Sequence, residues 1–249
     1  MRISLLSICL AFLLFGAQDL QAQKIISQQS HSWSLLNIKY KVNDLWQVQG
    51  SFDWRREAMY AHWQQSLSRI ELDRKLRKDI SFSFGYDWLQ NFRYGDQALH
   101  YNFDENRLFQ QLTTSQQFGR FNVKSTYRLE QRFLEHKELD NEGVYTPTKD
   151  LFRQRLRYAL ALTYPINKKE MGIGTLYAKV SNQVFVGFGK GIAKNNIEQN
   201  WFDAGFGYRL NERLEFYGGY LNQYIIKTDA VHIERNHTLR LAVFVSLNK

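Results

Sequence analysis

Apolar and polar residues alternate along most of this chain. Ile80, Phe82, Phe84, Tyr86 and Trp88 alternate with Ser81, Ser83, Gly85 and Asp87. Trp46, Val48, Gly50, Phe52 and Trp54 alternate with Gln47, Gln49, Ser51, Asp53 and Arg55. Successive side chains on a strand point to opposite faces, so a two-residue period gives each strand one apolar and one polar face. The pattern predicts strands over residues 34–42, 45–55, 62–72, 80–89, 104–116, 120–133, 151–164, 175–188, 202–210, 214–223 and 237–247. So many half-polar strands in series predict an all-β fold, an antiparallel up-and-down transmembrane β-barrel with lipid outside and water or ion pairs inside. A water-soluble barrel such as a lipocalin needs only eight strands.

The connections alternate in length. Short ones fall near Asn43, Lys75, Gly119, Lys168 and Asn211, and long ones near residues 56–61, 90–103, 134–150, 189–201 and 224–236. Outer-membrane barrels have short periplasmic turns and longer extracellular loops. Single-chain bacterial barrels also use even strand numbers. The expectation is therefore about twelve strands, ten to twelve being compatible with the pattern, the extra one a short strand over residues 24–30; alternatively that segment threads the lumen.

The N-terminus places this barrel in a compartment. Arg2 precedes an apolar run from Ile3 to Phe15, and Leu20-Gln21-Ala22 ends in a small residue. This is the pattern of a cleaved signal peptide over residues 1–22, with the barrel domain over 23–249 and Sec export to the outer membrane. Cys9, the one cysteine, lies inside that leader, which leaves no cysteine for disulfides or thiolate metal sites. No later apolar run approaches the ~20 residues of a membrane helix, as expected when strands do the crossing. Pro147 and Pro165 fall between the expected strands, where a sheet tolerates proline.

The formal charge is +9, and loss of Arg2 and Asp19 with the leader leaves it unchanged. An exported barrel does not routinely meet nucleic acid, so the positive charge belongs to the lumen, the rims and contacts with outer-membrane lipid and lipopolysaccharide. Alternation puts Arg107, Arg128, Arg132, Arg153, Arg155, Arg157, Arg209 and Arg240 on the polar face, together with Asp53, Glu71, Asp87, Glu105, Glu130, Asp203 and Glu215. This set reads as an anion-attracting pore or as a ladder of cross-strand ion pairs filling a narrow lumen. The mixture of signs favours the ladder. Arg153, Arg155 and Arg157 form the sharpest cluster, with Glu130 and the run Glu135, Glu138, Asp140 and Glu142 as the expected neutralising partners.

Two further signals concern the membrane and family. Trp46, Trp54, Trp63, Tyr86, Trp88, Tyr158, Tyr164, Trp201, Tyr208 and Tyr220 gather toward strand ends, where amphipathic rings suit a membrane interface. The segments Glu105-Asn106-Arg107-Leu108-Phe109-Gln110-Gln111-Leu112, Tyr127-Arg128-Leu129-Glu130-Gln131-Arg132-Phe133 and Phe152-Arg153-Gln154-Arg155-Leu156-Arg157-Tyr158, with Trp33 and Gly219-Tyr220-Leu221-Asn222-Gln223, carry a resemblance. As an ordered set they resemble an uncharacterised domain-of-unknown-function family of predicted outer-membrane barrels common in Bacteroidota. The resemblance spans nearly the whole mature chain. It implies a barrel, its location and dependence on barrel-assembly machinery, and it carries no activity. The ending Leu247-Asn248-Lys249 departs from the terminal aromatic of most such barrels.

Other chemistry is thin. Some outer-membrane barrels are lipid-modifying enzymes, but the histidines His31, His62, His100, His136, His232 and His237 fall mostly in loops or strand ends. Ser66 and Ser68 near His62 belong to no ordered Ser–His–Asn signature, and no G-x-S-x-G elbow occurs. Gly187-Phe188-Gly189-Lys190-Gly191 lacks the spacing and following helix of a phosphate loop. Metal-ligand spacing and calcium loops are absent, so no cofactor is expected. The functional expectation is a narrow or plugged channel or a structural membrane protein. A binding module built on the long loops is the alternative, and a lipid-modifying enzyme a remoter one.

Overall fold

The computed structural model describes residues 24–189 and 195–247. The leader with Gln23, residues 190–194 and the last two residues lie outside these. Eleven strands close a barrel: β1 (Ile25–Lys41), β2 (Trp46–Glu57), β3 (His62–Lys75), β4 (Ile80–Asn91), β5 (Phe103–Phe118), β6 (Phe121–Leu134), β9 (Leu151–Pro165), β10 (Thr175–Phe188), β11 (Ile197–Arg209), β12 (Leu214–Ile226) and β13 (His232–Ser246). A small hairpin, β7 (Lys137–Leu139) with β8 (Tyr145–Pro147), decorates the β6–β9 connection. Each barrel strand pairs antiparallel with its sequence neighbour, and β1 closes the ring against β13.

The all-β barrel and the number of strands agree with the sequence pattern, but the segment around residues 24–30 differs. It forms no strand of its own and does not thread the lumen. From Ile25 it is the first part of β1, paired in parallel with β13 from Ile25↔His232 to Lys39↔Ser246. An odd number of strands leaves the first and last pointing the same way, so parallel closure is the geometry that removes both edges. Parallel pairing is slightly weaker per residue, and the long register offsets this. Strands β11 and β13 each begin five residues earlier than the alternation suggested, which shortens two of the long connections.

The faces follow the alternation. Phe52, Trp54, Phe84, Tyr86, Trp88, Leu156, Leu162, Leu239 and Leu241 point outward and are exposed, while Asp53, Asp87, Glu105, Arg107, Arg128, Glu130 and Arg155 point inward and are buried. The barrel is thus apolar outside and polar inside, the reverse of a soluble protein. Outward aromatics gather near both ends. Trp54 stacks on Trp63 at 5.8 Å at the long-loop end, and Phe121 meets Tyr164 at 4.9 Å at the short-turn end. Trp201 departs from the expected interface set. It faces the lumen, 5.4 Å from Trp33 and 4.8 Å from Phe185. Its place on β11 is in phase with Asp203, so the alternation itself turns it inward.

Candidate functional site: the charged lumen

The sheet register arranges the inward charges in rows around the wall. One row runs Arg69–Asp87–Arg107–Arg132–Arg153 across β3, β4, β5, β6 and β9. The next carries Glu71, Gly85, Phe109, Glu130 and Arg155. Opposite charges therefore meet both along rows and between them. Arg69 grips Asp87 with both arms of its fork, at 2.6 and 2.7 Å. Arg107 donates to Glu105 at 2.7 Å and to Asp87 at 3.3 Å. Arg132 also grips Glu105, at 2.7 and 2.9 Å. Arg155 reaches Glu130 at 2.6 Å, and Glu130 has no exposed surface. On the opposite wall Arg240 donates to Asp203 at 3.1 Å, and the Tyr217 hydroxyl donates to the same carboxylate at 2.6 Å. Arg209 meets Glu215 at 3.2 Å, and its side chain is 41% exposed. Bidentate, charge-assisted contacts of this kind are the strong ones.

Two inward glycines make the lattice possible. A Cβ on Gly85 would lie 2.3 Å from the Phe109 ring, and one on Gly187 would lie 2.5 Å from Glu198 Oε1. Phe109 fills the lumen wall under the guanidinium of Arg128, 3.9 Å from the ring centre. Glu198 crosses over Gly187 to meet Arg155 at 3.3 Å and Arg132 at 3.4 Å. The glycine that superficially suggested a phosphate loop therefore leaves room for a carboxylate.

The expected partners of the β9 arginines are only partly right. Glu130 pairs with Arg155 as expected. The acidic run does not neutralise the cluster, because its members bond locally. Glu135 meets Lys137 at 3.3 Å, Glu138 faces His136 at 3.7 Å, and Asp140 Oδ1 accepts the N–H groups of Glu142 and Val144. The missing partner is Glu198, hidden from the sequence reading because the start of β11 resembled loop. Arg153 and Arg157 line the lumen without a carboxylate partner among the described residues.

Inside the barrel lies a cavity of about 610 Å³. It extends from the long-loop end past the middle of the lumen, and Lys39, Lys124, Arg157, Arg240 and Trp201 line it. Its described lining includes twelve Lys and Arg but only four Asp and Glu. The β4–β5 connection, residues 92–102, folds inward over its mouth. The Tyr94 hydroxyl donates to Glu234 at 3.0 Å, its ring meets His31 edge-on at 5.4 Å, and the Gly95 N–H donates to Glu57 at 3.0 Å. Toward the short-turn end Tyr177, Tyr217 and Ala242 pack with Leu35, Met171 and Phe244, an apolar cluster inside the lumen.

Fold and lumen together define the class: a closed barrel with an apolar exterior, a charged interior and one inward-folded loop. Over residues 30–233 the chain matches the family described as protein of unknown function (DUF2490), and it belongs to that family. No functionally curated protein matches it. Among solved structures, the NanC porin is similar at a TM-score of 0.48 and 11% sequence identity, over 85% of this chain and 91% of the porin chain.

Proposed function

We propose that this chain is an outer-membrane barrel acting as a narrow, loop-constricted channel with a preference for small anions. The apolar exterior supports the membrane location, because a band of exposed Phe, Leu, Trp and Tyr suits lipid and would drive aggregation in water. The observation that carries the channel reading is the lumenal cavity of about 610 Å³ with its threefold excess of cationic over carboxylate side chains. Charged rings of one sign select ions of the other. The ion-pair lattice narrows the passage and holds its wall rigid, while the loop over residues 92–102 restricts the mouth. The reading is of a conduit rather than an enzyme.

A closed structural barrel is the second reading. The apolar cluster around Tyr177, Tyr217 and Met171 favours it, because that cluster occupies the lumen near the short-turn end. Purified barrel in a planar bilayer under a potassium chloride gradient separates the two. A reversal potential displaced toward chloride supports the channel. Insertion without conductance refutes it in favour of the closed barrel.

A further inference from the structure

Arg69, Arg107, Arg132 and Arg155 each reach a carboxylate at 2.6–2.7 Å. A neighbouring patch of the wall is built differently. Arg157 stands opposite Arg128 in the β6–β9 register. Directly opposed like charges destabilise a sheet, yet among the described residues no carboxylate comes within 4 Å of Arg157, Glu130 in the neighbouring row being held by Arg155. The nearest acid to Arg128 is Glu71, at a distant 3.9 Å. Three polar atoms on this patch are sealed from the exterior and bond to nothing: Arg157 Nε, Arg128 Nη1 and Gln183 Oε1. Arg128 and Gln183 are 3% and 8% exposed.

The register explains what these atoms surround. Ala159 lies between Thr126 on β6 and Gln183 on β10, and Ala161 between Lys124 and Ser181. All of these face the lumen in phase with Arg157. Short side chains make a floor, and long cationic ones stand at its edge. The floor is open to lumenal space, since Lys124 is exposed and Ala159 and Ala161 are half-buried despite facing inward. Arg157, Lys124 and Gln183 all line the large cavity.

We propose that Arg128, Arg157 and Lys124, with Gln183 beside them, form a binding site for a small divalent oxyanion of the phosphate type, whether inorganic phosphate or a phosphomonoester. The Arg157 fork and the Lys124 ammonium face the cavity, and the unbonded Nη1 of Arg128 stands behind them, its Nε being held by Gln111 at 2.8 Å; arginine forks match the paired oxygens of such groups. Three cations with no carboxylate closer than 3.9 Å among the described residues favour a doubly charged ligand over a single carboxylate. The Gln183 amide can turn either its oxygen or its NH₂ to the ligand. Arg155, two residues before Arg157 on β9, is already neutralised by Glu130 and Glu198 and takes no part. The inference names the ligand class for the channel proposed above, but its test does not require conduction.

The test is calorimetric titration of the mature barrel, folded in detergent micelles at low ionic strength, with inorganic phosphate and separately with glycerol phosphate. Saturable binding of either is expected, and the stronger of the two identifies the source of the ligand. Arg157→Gln should weaken it at least about tenfold, the worth of one charge-assisted contact. Arg77→Gln, which removes an exposed charge in the β3–β4 turn, should leave it unchanged. Without phosphate, Arg157→Gln should melt no lower than the parent, because it relieves repulsion from Arg128. If that variant does not fold, Lys124→Gln, at an exposed position, decides by the same comparison. Lack of saturable binding at millimolar concentrations of both anions overturns the site, as does equal binding by the Arg157 and Arg77 variants. Binding without conductance would retain the site and remove the channel.

Discussion

Arg155→Ala tests whether the lumenal lattice holds the barrel together. Arg155 donates to Glu130 at 2.7 Å through Nε and lies 2.6 Å from it through Nη2. It also meets Glu198 at 3.3 Å, and its guanidinium lies 4.8 Å from the centre of the Phe185 ring. Glu130 is fully buried, so truncation leaves a carboxylate that water cannot readily reach. Removing one partner of a buried pair costs about 3–5 kcal/mol, mostly through the stranded charge. Arg107 remains 3.8 Å from Glu130 and offsets part of this, which places the expectation near the lower figure, about 3 kcal/mol. Equilibrium unfolding in urea, with the barrel refolded in micelles and followed by tryptophan fluorescence, measures the loss. Arg157→Ala is the internal control, since Arg157 sits on the same strand without a carboxylate and should cost far less. A change under about 0.5 kcal/mol for Arg155→Ala, the usual scatter of surface substitutions, would refute the reasoning. Equal losses at both positions would show that burial of the arginine stem, rather than its ion pair, matters.

The remaining predictions concern membrane, mouth and loops. Phe84→Arg puts a charge on the apolar outer face near mid-strand and should cost roughly 2–4 kcal/mol in a bilayer; Gln49→Arg, directed into the cavity, should be much milder, and equal costs would mean that the faces are reversed. Ser83, one position from Phe84, is a poor control because it is 1% exposed and donates to Asp73 at 2.6 Å. The protein should fractionate with outer membranes and begin near Gln23, and recovery from the soluble periplasm would end the membrane reading. Deleting residues 95–100 should raise single-channel conductance, and an unchanged value would remove that loop as the constriction. In the 227–231 connection, the N–H and ring of His232, followed by the Val231 N–H, hold the Asp229 carboxyl well below the usual carboxylate range. A lowered folded-state value means that the turn's contribution is present above the ordinary carboxylate range and is lost as pH falls through the lowered value. Amide exchange at Val231 and His232 should therefore lose protection in strong acid and not near neutrality.

Much of the fold could be read from alternation because strand geometry is local. A two-residue period fixes which side chains share a face, and it placed Arg107, Arg128, Arg132, Arg155 and Arg240 inward before any partner was known. It also supplied one partner correctly, Glu130 for Arg155, because β6 and β9 are connected through a single excursion and pair in a simple register. Local pattern failed where the information was not local. Glu198 joins Arg132 and Arg155 over the intervening β10, and only the assembled sheet sets β11 two strands from β9 with Gly187 clearing the way. Proximity in sequence assigns the acidic run from Glu135 to Glu142 to the arginines, but its own hairpin and turn satisfy it first. Closure belongs to tertiary structure for the same reason. A chain of alternating strands does not state whether its first residues add a separate strand or extend the next, and the pairing of Ile25 with His232 decides it. Sequence by itself determined which side chains face inward, since pleat and period are properties of neighbouring residues. Only the closed barrel decided which inward charges are matched and which stand unpartnered, because that depends on the distances between strands far apart in the chain.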